Sequence, residues 1–186
     1  VPGLLDVGKS GLAGAILDAH IEAHPDDPDG HFWLGETVIR VVASGIWPTE
    51  KLEEAEMSIG KALELRPDYE EAEVASCTIA RLRGDEDLAR SRFEGLLTKY
   101  PNSALAHYNL GLIKLEGDTN AALEHFRDGA ERAPDDPDYP VGIARALVKL
   151  DRLAEARDAV AWAKRLAPEH PLPAELEDIE TPPVAD

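Results

Sequence analysis

Apolar and small positions recur along this chain in a fixed frame. An Ala, an apolar residue four positions later and a Pro twelve positions after the Ala appear five times. The sets are Ala13, Leu17 and Pro25; Ala55, Ile59 and Pro67; Ala89, Phe93 and Pro101; Ala122, Phe126 and Pro134; and Ala156, Val160 and Pro168. A spacing of four puts the Ala and the apolar residue on one helix face. The Pro, with no N–H to give, ends that helix. Between each Pro and the next Ala lies a second helical segment, and the Pro-to-Pro intervals are 42, 34, 33 and 34 residues. The pattern therefore predicts alternating helices, at about 9–23, 29–45, 49–65, 70–83, 86–99, 103–116, 119–132, 138–150 and 152–166.

The joints support this reading. Pro-Asp-Asp-Pro-Asp at 25–29 and 134–138, Pro-Asp-Tyr at 67–69 and Pro-Asn-Ser at 101–103 join a helix-ending Pro to side chains suited to start the next helix. The longer first interval holds an insertion of about eight residues around Ser44-Gly45-Ile46-Trp47-Pro48-Thr49, expected to add about one turn to each helix of that hairpin. Trp47 at its tip either contacts a partner or folds back to cover its own hairpin. After Pro168, a short capping helix is expected within 171–180 and a frayed tail over 181–186. Ala13, Ile16 and Leu17 give the first helix an apolar face that lacks its usual partner helix. Residues 1–8, an upstream segment or another subunit is expected to cover that face.

Two of the intervening helices carry a further signature, His31-x-x-Leu34-Gly35 and His107-x-x-Leu110-Gly111. With the Ala, apolar and Pro positions, these residues resemble the tetratricopeptide repeat. The match is imperfect: Ser76-Cys77 and Ile143-Ala144 replace Leu-Gly, and Val38, Ala80, Lys114 and Leu147 replace the first-helix aromatic. Small residues nevertheless stay where two helices must approach. The resemblance implies an all-α fold, a right-handed α-solenoid of antiparallel helix hairpins in one domain over 1–186. Its parts would be a half repeat at 9–25, full repeats at 28–67, 70–101, 104–134 and 137–168, and a cap and tail at 169–186.

Charge narrows the partners. The 19 Lys and Arg against 37 Asp and Glu give a formal net charge of −18, with the acid spread along the whole chain. Such a surface repels phosphate backbones and anionic headgroups, so no nucleic-acid partner is expected. No apolar run is long enough to span a bilayer, so no direct membrane insertion is expected either. A soluble cytoplasmic or periplasmic setting fits, since the single Cys77 cannot form an internal disulfide.

Three motifs invite a chemical reading and fail on context. Residues 3–10, ending in Gly8-Lys9-Ser10, match the phosphate-loop expression G-x-x-x-x-G-K-[ST] but have no β-strand before them. Asp27, Asp29, Gly30 and Glu36 follow most of a calcium loop, yet Pro25 stands where its first ligand belongs. His20 and His24 lie one turn apart with His31 nearby, a spacing that surface histidines commonly show without a metal. His107 and Cys77 occupy packing positions, and no Ser, His and Asp set can be assembled. No catalytic residue, cofactor-binding residue or metal ligand is assigned, and no cofactor is expected.

The resemblance also implies a ligand face. Members of the family line a concave groove with the first helix of each pair and hold a peptide or helix of a protein partner there. Carried onto this sequence, the groove positions are Phe32, Glu36 and Arg40; Val74, Thr78 and Arg81; Tyr108, Leu112 and Leu115; and Val141, Arg145 and Val148. Arg40, Arg81 and Arg145 would favour a ligand with acidic residues beside its apolar anchors, unless Glu36, Glu116 or Asp138 already neutralise them. The family's clamp for a terminal carboxylate is not matched: of Phe32, Glu36, Ala75, Leu105 and Asn109, only Asn109 fits. The chain is expected to be a non-enzymatic scaffold or adaptor for a protein or peptide partner. The alternative is an accessory repeat domain of a larger enzyme or assembly factor.

Overall fold

The computed structural model describes residues 10–177 and 179, and every regular element among them is helical. The helices are α1 (Ser10–Ala23), α2 (Pro28–Ala43), α3 (Leu52–Leu65), α4 (Glu70–Leu82), α5 (Glu86–Lys99), α6 (Ala104–Lys114), α7 (Thr119–Arg132), α8 (Asp138–Lys149), α9 (Leu153–Leu166) and the short α10 (Ala174–Glu177). This is the all-α hairpin array of an α-solenoid. No helix among the described residues is long and apolar enough to cross a membrane.

The repeated frame marks the residues that hold the helices together. Ala13, Ala55, Ala89, Ala122 and Ala156 are fully buried, as are Leu17, Ile59, Phe93, Phe126 and Val160 one turn later. Each framing Pro stands two residues beyond the last residue of α1, α3, α5, α7 or α9, where no further helical N–H is required. Caps supply the other ends: the Asp27 carboxylate accepts from Asp29 N–H at 3.1 Å, Ser103 Oγ from Ala106 N–H at 3.3 Å and the Asp118 carboxylate from Ala121 N–H at 3.1 Å.

The chain divides into two compact units, 1–92 and 93–186. In the first, α2 packs on α3 and α4, and Phe32, Ile39, Leu52, Ile59 and Tyr69 form much of the core. Gly35 permits this closeness, because a Cβ there would stand 2.7 Å from Ile59. In the second unit α7 lies against both α6 and α8, and α9 packs on α8. The Phe126 ring fills the space between α6 and α8, and a Cβ on either Gly111 or Gly142 would come within 2.6 Å of it. The expected cap forms as α10, whose Leu176 is fully buried in this core.

The insertion differs from its expected form on one side. α2 has 16 residues against 13, 11 and 12 in α4, α6 and α8, so the extra turn on the first helix is present. α3 has the same 14 residues as α5, α7 and α9, and the added turn before it is a 3-10 turn, Thr49–Lys51. Pro48 starts that turn in extended geometry without an N–H to offer. Trp47 is half-buried and packs back on the first unit's core, while its neighbour Ile46 is 60% exposed.

At the start of the described chain the apolar surface of α1 splits. Ala13 and Leu17 are buried, whereas Leu12 and Ile16 remain 57% and 42% exposed. The residues expected to cover this face, 1–8, lie outside the described residues, as do most of the phosphate-loop match and the 181–186 tail.

Candidate functional site

The groove positions inferred for the first helices fall into rows with helical spacing. Phe32, Glu36 and Arg40 follow one another on α2, and Val74, Thr78 and Arg81 on α4. In the second unit Tyr108, Leu112 and Leu115 run along α6 and its end, and Val141, Arg145 and Val148 along α8. Burial separates the members of each row. Phe32, Val74, Leu115 and Val141 are buried core residues, and the Phe32 ring lies 5.0 Å from that of Tyr69. Glu36, Thr78 and Arg81 keep partial exposure and Arg40 is exposed. In the second unit Tyr108, Leu112, Arg145 and Val148 are partly exposed.

This division follows from the helix geometry. In α2, α4 and α8 the first residue of the row is buried and the stripe turns toward solvent further on, because successive turns do not superpose, whereas along α6 the order is reversed and Leu115 is the buried member. Tyr108, Leu112 and Val148 all pack against the second unit's core while retaining open surface. The Tyr108 ring leans on Phe126 and Tyr139, with centroids 5.6 and 5.5 Å away, which fixes its orientation. Two apolar side chains and an aromatic, held by their own core, are thus available on α6 and α8.

The arginines do not stand open as an acidic-ligand site requires. Arg40 Nε donates to Glu36 at 2.9 Å, and Arg145 Nε donates to Glu175 of α10 at the same distance. Arg81 is not without a partner either. Of the three neutralising acids inferred from sequence, Glu36 is the one seen on Arg40. Glu116 accepts from Lys149 at 2.8 Å, and Asp138 lies 3.2 Å from His170. Glu175 could not be anticipated, because contact with Arg145 depends on how α10 docks. Burial pushes the Glu36 carboxyl upward, and the Arg40 guanidinium partly offsets that.

The other candidate groups are accounted for locally. Asp27 caps α2 and accepts from His20 Nε2 at 2.7 Å, and that hydrogen bond holds its carboxyl below the usual range. Asp29 accepts from Arg66 at 2.9 Å, so the calcium-like residues are used in a joint between helices. The His20 and His24 rings lie 5.0 Å apart in a tilted pair, and His31 bonds the Pro25 carbonyl at 2.9 Å. The Cys77 thiol is buried, and burial raises its pKa to about 11, which keeps it protonated and unreactive. On the opposite side of the second unit, an open depression of about 370 Å³ lies among α7, α8 and α9, with Arg127, Trp162 and Arg165 on its walls.

Two family profiles, both described as tetratricopeptide repeat, match residues 54–103 and 114–177. A solved thermophilic TPR protein of Thermus thermophilus aligns with 92% of this chain and 88% of its own, at a TM-score of 0.72 and 19% identity. The solved pilF of Pseudomonas aeruginosa aligns with 95% of this chain and 76% of its own, at a TM-score of 0.65 and 20% identity. With the buried Ala frame and the helix-ending prolines, these matches place the chain in the tetratricopeptide repeat family, whose members bind protein partners. Among curated proteins, the one named "Probable biofilm formation methyltransferase WspC" in Pseudomonas putida is 40% identical over 91 residues. That stretch is 47% of this chain and 20% of the relative, so the match spans about a fifth of that protein.

Proposed function

We propose that this chain holds a peptide or helix of a protein partner on its first-helix faces, with Tyr108, Leu112 and Val148 as the apolar anchors of the second unit. The observation that supports it is their combination of open surface and fixed position in a family of protein-interaction repeats. Rigid, partly desolvated apolar side chains are the kind that carry most binding energy, because little side-chain freedom remains to be lost. Glu36, Arg40, Thr78 and Arg81 offer the corresponding polar surface on the first unit. The buried Phe32, Val74, Leu115 and Val141 contribute by holding the helices that present these groups. Because Arg40 and Arg145 are already paired within the chain, an acidic ligand gains less than free arginines would give it, and apolar contact dominates.

A second reading is favoured by the shared stretch with the methyltransferase-named relative: the repeats serve as an accessory region of a longer protein whose catalytic part lies elsewhere. Both readings require a partner surface on the repeats. The test is to recover a cross-linked partner and measure its affinity by fluorescence anisotropy for the parent, Leu112→Asp and Val148→Asp. Each variant should bind at least about tenfold more weakly with its helix content retained, as expected for an anchor residue. Unchanged affinity in both variants contradicts the assignment of the face.

A further inference from the structure

We propose that His107, His125 and Asp128 form a binding site for a transition-metal ion of the zinc type, built into the α6–α7 hairpin. From sequence no metal ligand is expected, and His107 occupies a packing position of its repeat. That residue is indeed only 8% exposed, but its ring is turned toward two further ligand-type groups. His125 and Asp128 are three residues apart on α7 and so share one face, which the hairpin brings against His107 of α6. His107 Nδ1 lies 3.2 Å from His125 Nδ1 and 3.7 Å from Asp128 Oδ2, and the three ligand atoms all fall within 4.8 Å of one another.

These separations suit one small ion. With metal–ligand bonds of about 2.0–2.2 Å, the corners of a tetrahedral zinc site are roughly 3.3–3.6 Å apart. The two imidazole nitrogens are already near that spacing, and a small turn of the Asp128 side chain completes a three-ligand set with a fourth position for water. Two imidazoles with one carboxylate favour zinc, copper or nickel over calcium and magnesium, which prefer oxygen-rich sites.

The surroundings prepare the rings as ligands. Burial lowers the pKa of both histidines, which favours the neutral form that a metal ligand needs. The Pro101 backbone, which can offer only its carbonyl because Pro has no N–H, works against the burial that lowers the His107 pKa. The Asp128 side chain is 49% exposed and gives an ion a route in. Arg132, 3.9 Å from Asp128, and Lys114 oppose a cation, while Glu124 adds negative charge nearby. An incoming ion must therefore compete with Arg132 for the Asp128 carboxylate.

The competing account is a plain hydrogen bond between two neutral imidazoles, which the 3.2 Å separation also allows. Titration of the untagged, chelator-treated chain with ZnCl2 by calorimetry, and with Co2+ by visible absorption, separates the two. One equivalent of zinc should bind with micromolar or tighter affinity, Co2+ should give the strong visible bands of a four-coordinate ion, and zinc should raise the melting temperature. His125→Gln and Asp128→Asn, at partly exposed positions, should keep their helicity and lose at least about 10–100-fold in affinity, the loss that even an outer-shell partner causes. His20→Gln, which removes one ring of the α1 pair, should bind as the parent does. Absence of stoichiometric zinc binding, or equal loss in His20→Gln and His125→Gln, overturns the site.

Discussion

Replacing Gly111 by Ala sets two opposed effects against each other at one atom. In a helix interior Ala is favoured over Gly by about 1 kcal/mol. Against this, the new Cβ would stand 2.6 Å from the Phe126 ring, far inside contact distance. The ring has little room to retreat, since it is fully buried and lies so near α8 that a Cβ on Gly142 would also stand 2.6 Å from it. Overpacking of a well-filled core costs about 1–3 kcal/mol, and a clash confined on both sides belongs at the upper end. The net destabilisation is then about 2 kcal/mol, or about 4–8 °C in melting temperature for a chain of this size. Gly60 in α3 is the matched control: it is exposed, nothing lies within 4 Å of its added Cβ, and Gly60→Ala should gain about 1 kcal/mol. Thermal and urea unfolding followed by circular dichroism read both. Phe126→Leu should partly rescue Gly111→Ala, giving a coupling of about 0.5–3 kcal/mol in the double-mutant cycle. A Gly111→Ala protein that melts at or above the parent would refute the close-approach role of this position.

Further outcomes follow from particular residues. Asp151 ends α8 with a φ of 57°, the geometry that Gly84 provides after α4, so Asp151→Gly should stabilise by about 1 kcal/mol in the same unfolding assays. Asp27→Ala removes the cap of α2 and should cost about 1 kcal/mol at pH 7. The folded Asp27 carboxyl titrates below its ordinary value because His20 bonds its charged form. Its contribution is therefore complete above the ordinary value and fades as pH falls through the folded one, so the variant and parent should converge in acid. Trp47→Ala should lower the melting temperature without changing partner affinity, since the ring packs on its own core. Cys77 should react with a thiol reagent at pH 8 far more slowly in the native chain than in urea.

Much of the fold was legible because each repeat states the same requirement again. A single Ala followed by an apolar residue and a Pro says little, but five sets in register specify five second helices, and all five are where the frame puts them. The boundaries differ by a residue or two at several helix ends, as in α2 and α6, and most at the 3-10 turn that Pro48 starts before Leu52. The candidate face was less legible. Sequence spacing finds the stripe containing Phe32 and Arg40, but only the packing of Tyr69 and the reach of Glu36 show that one is interior and the other paired. The Arg145 partner sits 30 residues away on α10, beyond any local pattern. His125-x-x-Asp128 was a visible helical pair of ligand types. Its meaning depends on His107, 18 residues earlier, facing it across the hairpin.

If the first helices, and not the opposite side, carry the partner, hydrogen–deuterium exchange with and without the cross-linked partner should show slowed exchange in α6 and α8, around Tyr108, Leu112 and Val148, with α7 and α9 unchanged. Protection confined to α7 and α9, around the depression walled by Trp162 and Arg165, would contradict it.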